Sequence, residues 1–258
     1  MDKKESMKKI VLVTGTTSGF GRSIAIRFAQ NGDDLIITGR RKKLLEELSA
    51  EIIKKYKVEV LPLCFDVRVR EKVEENIGSL TDKWKKIDIL VNNAGLAVGL
   101  TPIHEGVYDD WERMIDTNVK GLLYMTRVVS PLMIANGHGH IINIGSVAGK
   151  EVYPSGNVYC GSKFAVNAIT KGTRIDLLPF GIKVTQVAPG AADTEFSLVR
   201  FKGDKKKADS VYTGYKPLTP DDVAEAVFYV TTLPDHANIN DLVITPTAQA
   251  SAVHFFKK

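Results

Sequence analysis

Seven short apolar runs alternate with six longer helix-patterned stretches along the chain, and this alternation limits the fold more than any other feature. The runs are Ile10 to Val13, Leu35 to Thr38, Val58 to Phe65, Ile87 to Val91, Ile141 to Ile144, Ile182 to Ala188 and Leu242 to Thr245. Many are apolar at consecutive positions, the pattern of strands covered on both faces. Between them, Gly19 to Asn31, Lys42 to Tyr56, Val69 to Lys83, Asp109 to Ala135, Asn157 to Leu178 and Pro220 to Leu233 carry helical patterning. This predicts an α/β fold: a doubly wound parallel sheet of about seven strands, with right-handed crossovers and helices on both faces. At 258 residues the chain fits one such domain, residues 1–258. The least regular stretch, 191–215, follows a strand and contains Lys202-Gly203-Asp204-Lys205-Lys206-Lys207. Its position predicts a flap over a site at the strand ends.

A strand, Ile10 to Val13, leads into Thr14-Gly15-Thr16-Thr17-Ser18-Gly19-Phe20-Gly21, and a helix follows. Glycines permit a tight turn and close backbone approach to a pyrophosphate, whose charge suits the following helix N-terminus. Such a strand–turn–helix predicts a Rossmann-like nucleotide site. The second strand ends at Thr38-Gly39-Arg40-Arg41, where an NAD-binding unit would offer an acid to the ribose hydroxyls. Arg40 and Arg41 instead suit a 2′-phosphate, which favours NADP. As mere helix-start residues they would be disfavoured, because positive charge opposes a helix N-terminus.

Within that frame, Tyr159 and Lys163 stand four residues apart, Tyr159 thirteen residues after Ser146. Tyr-x-x-x-Lys alone recurs by chance, but behind a nucleotide turn it reads as a proton donor beside a hydride carrier. One helical turn puts both side chains on one face, where the ammonium would stabilise a phenolate. Ser146, at a strand end, can polarise a carbonyl or orient an alcohol. Taken singly, Ser146 also suits a strand-end cap, Tyr159 a packing residue, and Asn118 a helix residue bonded to backbone.

Composition removes other classes. The net charge of +5 and pI near 9.0 come from dispersed lysines and arginines without interleaved aromatics, so nucleic-acid binding is not expected. Histidines at 104, 138, 140, 236 and 254 lack ligand spacing, and no metal is expected. Cys64 and Cys160 predict no disulfide and fit a reducing compartment. The charged segment Met1 to Lys9 has no leader-like apolar core, and no run is long enough to span a membrane, so a cytoplasmic protein is expected.

Thr14 to Gly21, Asp66-Val67, Asn92-Asn93-Ala94-Gly95, Asn118, Ser146, Tyr159-x-x-x-Lys163 and Pro189-Gly190 together resemble the short-chain dehydrogenase/reductase superfamily over essentially the whole chain. Asp116-Thr117-Asn118, His140 to Ser146, Gly156 to Tyr159, Thr194 to Ser197, Val199 to Asp204 and Pro246-Thr247-Ala248-Gln249 look like its NADP-dependent 3-hydroxy acid dehydrogenases, the serine or L-allo-threonine dehydrogenase type. Ala191-Ala192-Asp193 departs from relatives with bulkier or glycine-rich residues there. The resemblance implies that Gly15, Thr16, Thr17, Ser18, Gly19, Phe20 and Gly21 hold the pyrophosphate region, Asp66 and Val67 the adenine, and Asn93, Ala94 and Gly95 the cofactor ribose side. Pro189 to Ser197, with Gly190 and Thr194, would line the nicotinamide. Ser146, Tyr159 and Lys163 would be catalytic, and Asn118 would anchor a proton-relaying water. Substrates would be small 3-hydroxy acids, in a homotetramer assembled through the helices near 109–135 and 157–178. Arg200 and Lys202, in the flap, are candidates for the substrate carboxylate by charge and position. The alternatives are an NADPH-dependent carbonyl or 3-oxoacyl thioester reductase, and a non-catalytic NADP-sensing protein. The aromatic tail Val253-His254-Phe255-Phe256 suggests packing on a neighbouring subunit or on its own.

Overall fold

The computed structural model describes residues 8–258, so most of the charged opening segment, including Lys3 and Lys4, lies outside the described residues. Strands β1 (Ile10–Val13), β2 (Asp34–Gly39), β3 (Val60–Cys64), β4 (Ile89–Asn92), β5 (His140–Ile144), β6 (Lys183–Pro189) and β7 (Asp241–Ile244) form one sheet. All pairings are parallel, in the order 3-2-1-4-5-6-7. Helices α1 (Gly19–Gln30), α2 (Lys42–Tyr56), α3 (Arg70–Gly78), α4 (Tyr108–Ile115), α5 (Leu122–Asn136), α6 (Asn157–Leu177), α7 (Glu195–Arg200), α8 (Lys205–Ser210) and α9 (Pro220–Val230) complete the chain.

The consecutive apolar residues have the cause expected of them. In β1, Val11 and Val13 join a core with Phe28, Leu48 and Val227 of α1, α2 and α9. Ile10 and Leu12 join the opposite core with Val73, Met125 and Val129 of α3 and α5. Each large apolar side chain so buried contributes roughly 1.5–3 kcal/mol, and a strand covered on both faces collects it at every position. The sheet edges are less covered: β7 alternates exposed and half-buried residues, and β3 tolerates Pro62 because it is an edge strand.

Three local outcomes differ from the periodicity, and one open alternative is decided. Helix α3 stops at Gly78, short of Lys83, where glycine lowers helix propensity. The long helix near 109–135 is interrupted by a π-helical turn, Asp116–Gly121. The stretch 191–215 holds two short helices, α7 and α8, started by Thr194 and Asp204, whose side chains accept from Phe196 N and Lys207 N. The aromatic tail folds back on its own subunit, with the Phe255 ring 5.1 Å from that of Tyr215.

The order reverses between β1 and β4. The loops after those strands therefore part and leave a crevice beyond the carboxyl ends of the sheet, where ligands of such folds lie.

Candidate active site

The turn after β1 is built for close approach. Gly15 and Gly19 have φ of +71° and +53°, and a Cβ on Gly15 would stand 3.0 Å from Ala94 Cα. A Cβ on Gly21 would stand 2.3 Å from Gly15 O, so this glycine lets the turn fold on itself. Thr14 Oγ1 accepts the backbone N–H groups of Asn93 and Ala94, at 3.0 and 2.9 Å, and Asn93 Nδ2 donates to Thr14 O at 2.8 Å. These bonds join the two halves of the crevice. Helix α1 then begins without a side-chain cap bond and without an acid in its first turn. Its first N–H groups are free of side-chain partners, and that end of the helix favours an anion. A dinucleotide pyrophosphate fits this cradle in charge and in shape.

A cleft of about 670 Å³ runs from this turn to the flap. Gly15, Thr17, Ser18, Gly19, Phe20, Arg40, Arg41, Asp66, Val67, Asn93, Ala94 and Gly95 line it, as do Ser146, Tyr159, Lys163, Pro189, Gly190, Thr194 and Arg200. Several expected site residues do not, Lys202 and Asp193 among them. Thr16 is fully buried and donates its N–H and hydroxyl to Thr38 O, at 2.9 and 3.2 Å. Gly21 is covered by the turn, and Asn118 lies behind the wall.

At the cleft's arginine end, Arg41 donates to Thr17 Oγ1 at 3.0 Å and to Glu195 Oε2 at 3.1 Å. Arg40 lies 3.6 Å from Asp66 Oδ2, and both guanidiniums remain about half exposed. Arg68, which no sequence pattern marked, grips the Asp66 carboxylate by two nitrogens, at 2.9 and 2.6 Å. Although burial opposes ionisation, the Arg68 hydrogen bonds and charge hold Asp66 below the usual carboxylate range.

At the other end stand the reacting groups. Ser146 follows β5, and its Oγ accepts the Ala148 N–H at 3.1 Å, so it caps the next turn while its own hydroxyl hydrogen is left to donate. Tyr159 and Lys163 share one face of α6, and both are buried. Burial raises the Tyr159 pKa, and the Arg200 charge and the Ser146 hydroxyl oppose that rise. Lys163 Nζ donates to Ile144 O at 2.8 Å and keeps two further N–H groups, and burial draws its own pKa down to about 8. Arg200 also faces the phenol, its guanidinium carbon 5.0 Å from the Tyr159 ring centre and 5.1 Å from that of Phe196.

Arg200 also donates to Tyr153 Oη at 2.6 Å, while its buried Nε has no partner. Tyr153, half-buried with its pKa raised by burial, had no mark in the sequence because it belongs to no spacing pattern, while Phe196, inside the expected Pro189 to Ser197 lining, stands edge-on to Tyr159 at 5.5 Å. Lys202 points elsewhere and pairs with Asp110 Oδ2 at 2.7 Å, which removes it as a carboxylate partner. Asn118 sits in the π-turn, donates to Leu96 O and Ser162 Oγ at 2.8 and 2.9 Å, and accepts from Leu96 N at 2.8 Å. Its amide hydrogens are thus spent on protein groups, and one lone pair of Oδ1 is left. Among the described residues, no three His, Cys, Asp or Glu side chains gather as a metal would need, and no helix is long and apolar enough to cross a membrane.

This fold and this site define an NAD(P)-type oxidoreductase scaffold, and the sequence pattern of the short chain dehydrogenase family matches residues 9–204. The chain belongs to the short-chain dehydrogenase/reductase family. It is 51% identical over 244 residues to the NADP-dependent 3-hydroxy acid dehydrogenase YdfG of Escherichia coli K12, covering 94% of this chain and 97% of that one. It is 47% identical to the sulfoacetaldehyde reductase 2 of Chromohalobacter salexigens, covering 95% and 96%. The closed form of a serine dehydrogenase complexed with NADP+ superposes with a TM-score of 0.89 at 50% identity, covering 96% of this chain and 99% of that one.

Proposed function

We propose that the chain is an NADP-dependent dehydrogenase that moves a hydride between the cofactor and the hydroxyl or carbonyl carbon of small 3-hydroxy acids. The observation that carries the reading is the Ser146, Tyr159 and Lys163 group in one cleft with the glycine turn and Arg40 and Arg41. The similar proteins of known activity support both halves, cofactor and substrate class. A hydroxy acid and a sulfonated aldehyde each carry an anionic head near the reacting carbon, which suits the cation at Arg200.

The turn Gly15 to Phe20, with Asn93, Ala94 and Gly95, would hold the pyrophosphate and adjoining ribose. Arg40 and Arg41 would hold the 2′-phosphate, Asp66 and Val67 the adenine edge, and Pro189, Gly190 and Thr194 the nicotinamide side. NADP supplies the hydride acceptor when bound. In oxidation, Ser146 Oγ–H donates to the substrate oxygen and orients it, and Tyr159 Oη takes the hydroxyl proton; in reduction Tyr159 returns it. Lys163 keeps a proton source beside the phenol, and the remaining lone pair of Asn118 is where a relaying water would bind. Arg200 draws the substrate carboxylate toward the reacting group.

The chain would act as one catalytic domain, 1–258, with 191–215 as its flap, in the cytoplasm. Exposed Leu123, Phe164 and Ile175 on α5 and α6 suit the helix-mediated homotetramer, which a mass measurement in solution tests. The test of activity is Tyr159→Phe assayed with serine, 3-hydroxyisobutyrate and 3-hydroxypropionate against a 3-oxoacyl thioester, under NADP and NAD. Turnover of the hydroxy acids with NADP should fall by ~10²-fold or more while NADP binding stays. Near-normal turnover in the variant would overturn the role of Tyr159, and preference for the thioester would overturn the substrate class.

A further inference from the structure

The side of α6 that meets the sheet carries a polar stripe. Lys163, Asn167, Thr170 and Arg174 recur at the spacing of one helical face. Each is fastened by a hydrogen bond to the sheet or to the segment after Ser146. Lys163 Nζ donates to Ile144 O of β5 at 2.8 Å, Asn167 Nδ2 to Gly149 O at 3.4 Å, and Arg174 Nε to Val184 O of β6 at 2.7 Å. Thr170 is the deepest member, 1% exposed. Its hydroxyl donates to Val166 O at 2.7 Å and accepts from Asn143 Nδ2 at 2.9 Å. Asn143 lies on β5, three residues before Ser146, and pairs in register with Asn92 of β4. Its Oδ1 accepts from Asn92 Nδ2 at 2.9 Å, and the same Asn92 amide donates to Thr126 Oγ1 of α5 at 3.0 Å. All four residues are buried, so a continuous polar chain runs from α5 through β4 and β5 to α6. It joins the strand that leads into Asn93, Ala94 and Gly95, the strand that leads to Ser146, and the helix that carries Tyr159 and Lys163.

We propose that Asn143 and Thr170 are positioning residues for hydride transfer: the bond between them fixes the register of α6 on β5, and with it the placement of Tyr159 and Lys163 against Ser146 and the cofactor loop. This rests on the reading of those three side chains as the reacting groups. The physical reason lies in direction. Apolar packing is non-directional and lets a helix slide on a sheet at little cost, whereas a hydrogen bond holds its partners within a narrow range of distance and angle. A misplacement of about 1 Å at a reacting group can cost about 10²-fold in rate, and that is less than the rise of about 1.5 Å per helical residue. Thr170 stands two helical turns beyond Lys163 on the same face, so a slide at Thr170 passes along the rigid helix to Lys163 and Tyr159.

The main variant is Thr170→Val, which keeps the β-branched shape and removes the hydroxyl. Thr170→Ser keeps the hydroxyl as the conservative control, and Asn143→Leu removes the partner from the other side. The measurements are kcat and KM for a 3-hydroxy acid with hydrogen or deuterium on the reacting carbon, NADP affinity by fluorescence titration, and amide hydrogen exchange over 157–170 in the NADP-bound protein. For Thr170→Val and Asn143→Leu, kcat per NADP-binding site should fall by roughly 10-fold or more. The deuterium effect on kcat should be no smaller than the parent's, which places the loss in hydride transfer, while NADP affinity holds and exchange in α6 quickens. Thr170→Ser should behave as the parent. The positioning role is overturned if kcat per site stays parental and only the melting temperature falls, if the deuterium effect shrinks, or if Thr170→Ser loses as much as Thr170→Val. Should Asn143→Leu not fold, the two Thr170 variants carry the comparison alone. Were the parent to prefer a 3-oxoacyl thioester, the substrate reading would fail, and the same comparison on the thioester would decide the register, because the hydride geometry is shared. Were it to turn over neither, the reading of the reacting groups would fail on that result, and the exchange rates would still decide whether Thr170 holds α6.

Discussion

At the residue scale, the site turns on which cation faces the phenol. Tyr159 is buried, and an isolated buried phenol resists ionisation. Lys163 gives one of its three N–H groups to Ile144 O, whereas Arg200 stacks over the Tyr159 ring and touches Tyr153 through one nitrogen, with Nε unpaired. That leaves a guanidinium with donors to spare for a substrate carboxylate. Arg200→Ala should therefore raise KM for 3-hydroxy acids by roughly 10- to 100-fold, the scale of a charge-assisted hydrogen bond, and leave neutral alcohols far less affected. It should also shift the rising limb of the oxidation rate, where the phenol loses its proton, to higher pH, because the charge that opposes the burial-raised pKa of Tyr159 is gone. Equal losses on acids and alcohols, measured in one assay series, would remove Arg200 from substrate binding. The sequence offered Arg200 and Lys202 as equals; only packing separates them, since Asp110 claims Lys202.

At the scale of elements, what was legible followed from period and from glycine. The strands stood out because both faces of β1, β2, β4 and β5 are buried, so every position had to be apolar or paired. The phosphate turn stood out because only glycine accepts φ near +71° against Ala94. The π-turn at Asn118 left no trace, because one extra residue in a helical turn barely alters a 3.6-residue pattern, yet such turns gather at functional sites. Helices α7 and α8 were equally hidden, being six residues each and too short for a period to emerge. Cofactor choice belongs to this scale, since the end of β2 and the start of α2 place Arg40 and Arg41 together. Their guanidiniums are exposed and tied only to side chains that a phosphate can displace. In the double variant Arg40→Ala, Arg41→Ala, KM for NADP should rise by about 10-fold or more, while KM for NAD changes little. Parallel changes for both cofactors, in steady-state assays, would move 2′-phosphate recognition elsewhere.

For the whole molecule, one buried histidine links the sheet to pH. His140 opens β5, is 3% exposed, and its Nε2 lies 2.8 Å from Thr185 Oγ1 on β6. The Thr185 hydroxyl hydrogen goes to Ile239 O at 2.7 Å, so Nε2–H is the donor in the histidine bond and Nδ1 carries no proton. Nδ1 has no partner, and protonating it would place an unpaired charge between two central strands. Burial, with the charges of Lys183 and Lys9, accordingly lowers the pKa from 6.5 to about 3. The sign follows from linkage. Below the ordinary value the unfolded chain binds a proton that the folded chain refuses, so stability falls as pH drops from about 6.5 toward 3. At pH 5 the loss is about 2 kcal/mol by that relation. The exposed pair of His138 with Asp88 works in the other direction: its pKa is raised, chiefly by the Asp88 hydrogen bond, so its small contribution is present at low pH and fades above 6.5. It cannot offset the buried group. Denaturant melts of the parent and of His140→Val at pH 7 and pH 5 isolate the effect, because every other titrating group is common to both. The variant should lose less stability between the two pH values, by about the same 2 kcal/mol; parallel losses would mean that His140 already shares its charge with solvent, and that the centre of the sheet is wetter than its packing implies.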